Sequence, residues 1–122
     1  MSRRRDRRAA LAFALLLPLL PASSACSQSG RPVITTQEST VTVENQTAEN
    51  WTNLEVWLND HYRVTARTLD AGGRLTVPLD AFVAGYGQRF DRRRQTPFGI
   101  EVTARTSSGR EVTFVWGKGR RR

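Results

Sequence analysis

Apolar and polar residues take turns over most of this chain, and a two-residue period allows little besides half-buried β-strands. In residues 39–45, Val41 and Val43 alternate with Thr40, Thr42 and Glu44. In residues 51–58, Leu54, Val56 and Leu58 oppose Asn53, Glu55 and Trp57. Tyr62, Val64 and Ala66 then oppose Arg63, Thr65 and Arg67, and Leu75, Val77 and Leu79 form another run. Phe98, Ile100, Val102 and Ala104 alternate with Gly99, Glu101, Thr103 and Arg105, and Val112, Phe114 and Trp116 with Glu111, Thr113 and Val115. Turn-forming residues punctuate these runs at Asn59-Asp60, Asp70-Ala71-Gly72-Gly73 and Thr106-Ser107-Ser108-Gly109. Residues 32–36 predict a further edge strand, with Pro32 where a missing N–H is tolerated. About seven short strands with regular turns predict an all-β fold, a small antiparallel sandwich.

One connection breaks the rhythm. Between residues 80 and 97, Asp80 has the character of a helix cap, residues 81–84 suit a short helix, and Gly85 would end it. Tyr86, Phe90 and the run Arg92-Arg93-Arg94 follow. Connections this long often cover or bind something.

The first 26 residues have another logic. Five arginines between Arg3 and Arg8 precede an apolar run over residues 9–20, and small residues 22–25 lead to Cys26. A basic head, a short apolar middle and a small-residue exit describe a secretory signal peptide. The apolar run is too short to span a bilayer of roughly 30 Å as a stable helix. Ser23-Ser24-Ala25-Cys26 resembles the lipobox of bacterial lipoproteins, which implies a lipid on the Cys26 thiol and a membrane anchor outside the cytoplasm. Ser23 stands where that family usually has an aliphatic residue, so ordinary cleavage after Ala25, giving a periplasmic or secreted product, is the alternative. Cys26 is the only cysteine, and lipidation accounts for an odd thiol in an exported chain. The expected organisation is a signal peptide at 1–25, a polar tether at 26–31, a β-sandwich at 32–117 and a basic tail at 118–122.

The net charge of +8 suggests nucleic acid until it is divided by region. Residues 1–25 carry five Arg against Asp6, residues 31–117 carry ten Arg against ten Asp or Glu, and Lys118, Arg120, Arg121 and Arg122 close the chain. The body is neutral, so the charge is no footprint of a nucleic-acid-binding face.

Val41-x-Val43-x-Asn45, Leu54-x-Val56-x-Leu58-Asn59-Asp60 and the Gly72-Gly73 turn resemble small immunoglobulin-like domains of bacterial envelope lipoproteins, including FxLYD-type domains. The resemblance implies an immunoglobulin-like sandwich and no particular activity.

Chemistry is sparse. His61 is the single histidine, so no His-pair metal site exists, and no cofactor is expected. A hydrolase would need a hydroxyl beside His61 with Asp60 behind it; adjacent residues of a turn are more simply a solvated turn. Asp70, Asp80 and Asp91 read as turn or cap residues, and Gly85-Tyr86-Gly87 lacks the strand-before, helix-after setting of a phosphate loop. Two glycosylation-like triplets, at Asn45 and Asn50, read as chance.

The informative side chain is Trp57, on the polar face of its strand. Arg63 or Arg67 of the neighbouring strand is placed to lie over its ring. One reading makes Trp57, with Trp51 and Tyr62, a partner or ligand surface; the other buries it beneath Phe82, Tyr86 or Phe90 of the long connection. The candidate binding surface is Trp57, Tyr62, Arg63, Arg92, Arg93 and Arg94. The expected function is an exported, lipid-anchored, non-enzymatic envelope protein used in binding or assembly, the alternative being a freely secreted domain that binds a small ligand under the 80–97 connection.

Overall fold

The computed structural model describes residues 32–120. The expected signal peptide, Cys26 and the expected tether lie outside the described residues, as do Arg121 and Arg122. Eight strands form in order: β1 (Ile34–Thr36), β2 (Thr40–Glu44), β3 (Trp51–Leu58), β4 (Tyr62–Leu69), β5 (Arg74–Pro78), β6 (Val83–Ala84), β7 (Gly99–Thr106) and β8 (Glu111–Gly117). All strand pairs are antiparallel; one sheet has the order β1-β2-β5 and the other β6-β4-β3-β7-β8. The fold is an all-β sandwich, and the strand beyond the expected seven is the two-residue β6.

The alternation explains the layers. Val41, Val43 and Val77 face inward from the three-stranded sheet, and Leu54, Val56, Leu58, Ile100 and Val102 face them from the five-stranded one. Burying each such side chain stabilises by about 1.5–3 kcal/mol relative to leaving it exposed. The β3–β4 turn has φ of 51° at Asn59 and 69° at Asp60, the consecutive left-handed residues of a type I′ turn.

β3 departs from strict alternation near Asn53, where φ is 51° and the register against β7 shifts by one residue. This β-bulge turns Trp51 from the polar face into the core, where it is fully buried and stacks on Phe114 with ring centroids 5.3 Å apart. Trp51 is therefore no part of an exposed surface.

The expected helix at 81–84 does not form. Pro78 leads into a single 3-10 turn, Leu79–Ala81; Asp80 lies inside it, and no side chain caps it. Phe82 is extended, β6 pairs with the edge of β4, and the Phe90 amide donates to the Phe82 carbonyl. An extended path carries both Phe82 and Phe90 into the core, which one short helical turn would not. They fill the space beneath the connection, while Tyr86 at its tip is 75% exposed.

The sandwich has two poles. At one, Pro32 enters beside Gln46, and the turns at 70–73 and 107–110 gather. At the other lie the 59–61 turn, Phe98 and the start of the tail at Lys118. Two buried asparagines tie these poles. Asn45 Nδ2 donates to the Glu49 and Leu69 carbonyls, and its Oδ1 accepts from the Thr47 amide and hydroxyl. Asn59 Nδ2 donates to the Thr96 carbonyl, and its Oδ1 accepts from the Phe98 and Gly99 amides.

Candidate functional site

Strand register lays one row of side chains across the outer face of the five-stranded sheet. Val115 on β8 opposes Glu101 on β7, Glu101 opposes Trp57 on β3, and Trp57 opposes Arg63 on β4. Directly opposed residues on one face interact most strongly in a sheet. The Arg63 guanidinium carbon is 5.3 Å from the Trp57 ring centroid, and its Nη1 donates to Glu55 Oε1 at 3.0 Å. Glu55 thus holds Arg63 against the indole.

The other cover comes from the tail. At Gly117, with φ of 69°, the chain leaves β8 and turns back; the Lys118 amide donates to the Phe98 carbonyl. A side chain at Gly99 would run into the Lys118 carbonyl, and one at Gly117 into the Phe98 carbonyl, so both glycines are needed for the close approach. Gly119 passes over Val115, the Arg120 amide donates to Glu101 Oε2 at 3.3 Å, and the Arg120 guanidinium carbon lies 3.7 Å from the Trp57 centroid. Residues 118–120 form a strap along the row and set Arg120 on the indole. Glu101 is only 4% exposed. A guanidinium stacked on an indole contributes about 0.5–1 kcal/mol when exposed and about 2 kcal/mol when desolvated.

Trp57 is accordingly half-buried, neither bare nor covered by the 80–97 connection as expected. Two shallow grooves flank it. One, of about 440 Å³, is lined by Trp57, His61, Arg63, Thr65, Val83, Ala84 and Gly85. The other, of about 550 Å³, lies at the pole and is lined by Asp60, His61, Phe98, Lys118, Gly119 and Arg120.

The remaining candidates do not converge there. Tyr62 is in phase with the core rather than with Trp57: it is 5% exposed, packs edge-on against Phe90 at 5.3 Å, and its hydroxyl accepts from Gln95 Nε2. Arg92, Arg93 and Arg94 are exposed on a turn built around Asp91, whose Oδ1 accepts from the Arg93 amide and whose Oδ2 lies 3.7 Å from Arg94 Nε. None of these three lines either groove beside Trp57. His61 is exposed on its hairpin and lines the groove at the pole with Asp60. No group of three His, Cys, Asp or Glu side chains suited to a metal occurs among the described residues. Among them, too, no helix is long and apolar enough to cross a membrane. Asn45, in the first glycosylation-like triplet, is buried and fully hydrogen-bonded.

Sequence reasoning found the Trp57–Arg63 pair but missed Arg120 and Glu101. Their signal was present: Val115, Glu101, Trp57 and Arg63 share one phase of the alternation, and Gly117 and Gly119 bracket Lys118 where a fold-back needs freedom.

No protein-family model matches the chain, and no curated protein matches it. Among solved structures it is similar to an NMR structure of a protein from Eubacterium rectale. The two are 25% identical, with 76% of this chain and 77% of that one covered and a TM-score of 0.48.

Proposed function

We propose that this is an exported envelope protein, anchored outside the cytoplasm through a lipid on Cys26, whose β body binds a partner and catalyses nothing. The observation that carries the binding role is the Trp57 row: an aromatic ring with two guanidinium groups against it, on an outer sheet face bordered by grooves. Trp and Arg are the side chains most enriched where binding energy concentrates. The basic, apolar and small-residue order of residues 1–26 supports export and lipidation.

The poles support a division of labour. Cys26 is six residue steps from Pro32, a reach of about 20 Å at full extension. Pro32 enters at the pole opposite the 59–61 turn, so an anchor there leaves the Trp57 end directed away from the bilayer. Tethering raises the effective concentration of the domain near a membrane-bound partner, so a modest contact suffices.

The test has two arms. Intact-mass analysis of membrane-fraction protein should show acyl mass on Cys26 and no leader, and Cys26→Ala should move the protein to the soluble fraction. Crosslinking in the native envelope should capture a partner that Trp57→Ala loses. Unprocessed polypeptide inside the cell would overturn the anchor, and a crosslink pattern indifferent to Trp57 would overturn the surface. A second reading, a freely secreted domain holding a small ligand, is favoured by the groove of about 440 Å³ beside β6, within the size range of ligand pockets. Mature protein free of acyl mass that retains a small molecule through purification would select it.

A further inference from the structure

The strap places a specific chemical group on the Trp57 row, and that group shows what the row accepts. Arg120 makes two contacts there: its guanidinium stacks on the indole at 3.7 Å, and its backbone amide donates to Glu101. The first suits a planar, weakly hydrated cation, which a guanidinium is and an ammonium is not. The second is available to any polypeptide segment crossing the sheet. Glu55, paired with Arg63, and Glu101, in the row itself, place carboxylates beside the indole, and an incoming cation meets them there.

We infer that the Trp57 row is a receptor for an arginine-bearing segment of a partner polypeptide, and that Arg120 fills it in cis until that segment displaces it. The inference rests on the reading of this face as a binding surface and adds the chemistry of the ligand. Among the described residues the strap is held at its hinge, where the Lys118 amide donates to the Phe98 carbonyl, and by its contacts on the row, so lifting it breaks none of the strand pairings above. A cis occupant lowers apparent affinity by the fraction of molecules in which the site is closed. Partner binding and tail release are then one equilibrium.

The probe is a synthetic peptide, Gly-Lys-Gly-Arg-Arg-Arg, titrated against the mature full-length protein and against its R120A/R121A/R122A variant. Binding is followed by chemical-shift changes at the Trp57 indole N–H. The variant should bind the peptide about tenfold more tightly than the unsubstituted protein, because its site is open. Adding Trp57→Ala to that variant should abolish binding, and a peptide with lysine in place of each arginine should bind several-fold more weakly. Arg120→Lys, which keeps the backbone contact to Glu101, is a milder control and should tighten peptide binding to a smaller extent. Equal affinity for the arginine and lysine peptides would overturn the inference, as would binding that survives Trp57→Ala. So would absence of binding to R120A/R121A/R122A and to Arg120→Lys, each with an unfolding midpoint near that of the unsubstituted protein. If the peptide fails while Trp57→Ala still loses a crosslinked partner, the face binds a partner by other chemistry and only this inference falls.

Discussion

Asn59 combines a backbone task with a side-chain task. Its φ of 51° starts the β3–β4 turn, and its amide group pairs with Thr96, Phe98 and Gly99 on the returning connection. Alanine would meet the left-handed conformation badly and would leave buried amides unpaired, each costing about 1–3 kcal/mol. Asn59→Ala should therefore lose about 2–4 kcal/mol, read from the urea midpoint at unchanged m-value. Trp51 predicts the opposite kind of result. Its Nε1 has no hydrogen-bond partner among the described residues, so Trp51→Phe removes a buried donor along with some ring area. It should change stability by less than about 1 kcal/mol, whereas Trp51→Ala should cost about 3–5 kcal/mol. A large loss in Trp51→Phe would mean that the N–H is satisfied after all. Tyr62 shows how a residue's neighbours in sequence mislead: Arg63 beside it is exposed, but the pleat sends Tyr62 inward with Val64 and Ala66. A surface holding both Trp57 and Tyr62 would have to pass through the sheet.

At the scale of elements, the 107–110 turn is clamped to the 45–50 loop through Glu49. Glu49 Oε1 accepts from the Ser107 hydroxyl and Ser108 amide, and Oε2 from Arg110 Nη2 at 3.3 Å. Hydrogen bonding by Ser108 leads in holding the Glu49 carboxyl below the usual carboxylate range; partial burial opposes it, and Ser107 and Arg110 reinforce it. Because the folded pKa is below the unfolded one, the clamp contributes fully above the ordinary glutamate range and is lost as pH falls through the lowered value. Glu49→Gln should flatten that acid limb of the stability curve, measured by thermal melts across the range. Identical limbs in both proteins would show that the clamp contributes nothing. The elements also mark how far the sequence could be read. β2, β4 and β8 follow from alternation alone; β3 follows it from Leu54 onward, and β7 shows it in sequence although the strap buries Glu101 on its outer face. The bulge at Asn53 was not legible, because a polar residue on the outer face of a strand gives no sign of positive φ. The residues 81–84 look helical by local composition; the pull of Phe82 and Phe90 into the core is tertiary and overrides it. Half of the candidate site, Trp57 with Arg63, was visible as a cross-strand pair. The other half required knowing that the tail turns back at Gly117.

For the whole molecule, the arrangement of poles makes a geometric prediction that follows if the proposed lipid anchor on Cys26 is present. A fluorophore introduced at Ala71→Cys, on the turn near the Pro32 pole, should be quenched by lipid-borne quenchers when the protein is reconstituted through its acylated Cys26. The same label at His61→Cys, beyond β3's eight residues and so roughly 26 Å along the strand axis, should be quenched far less. Equal quenching would mean that the body lies flat or tumbles freely on its tether. The opposed exits of β1 and β8 also decide how the domain meets a mechanical load. A pull between a lipid at one end and a gripped tail at the other runs along the strands. The β1–β2 and β7–β8 ladders are then sheared, and their hydrogen bonds resist together instead of opening one after another. Such a module would stay folded under tension that unzips a hairpin pulled from a single end.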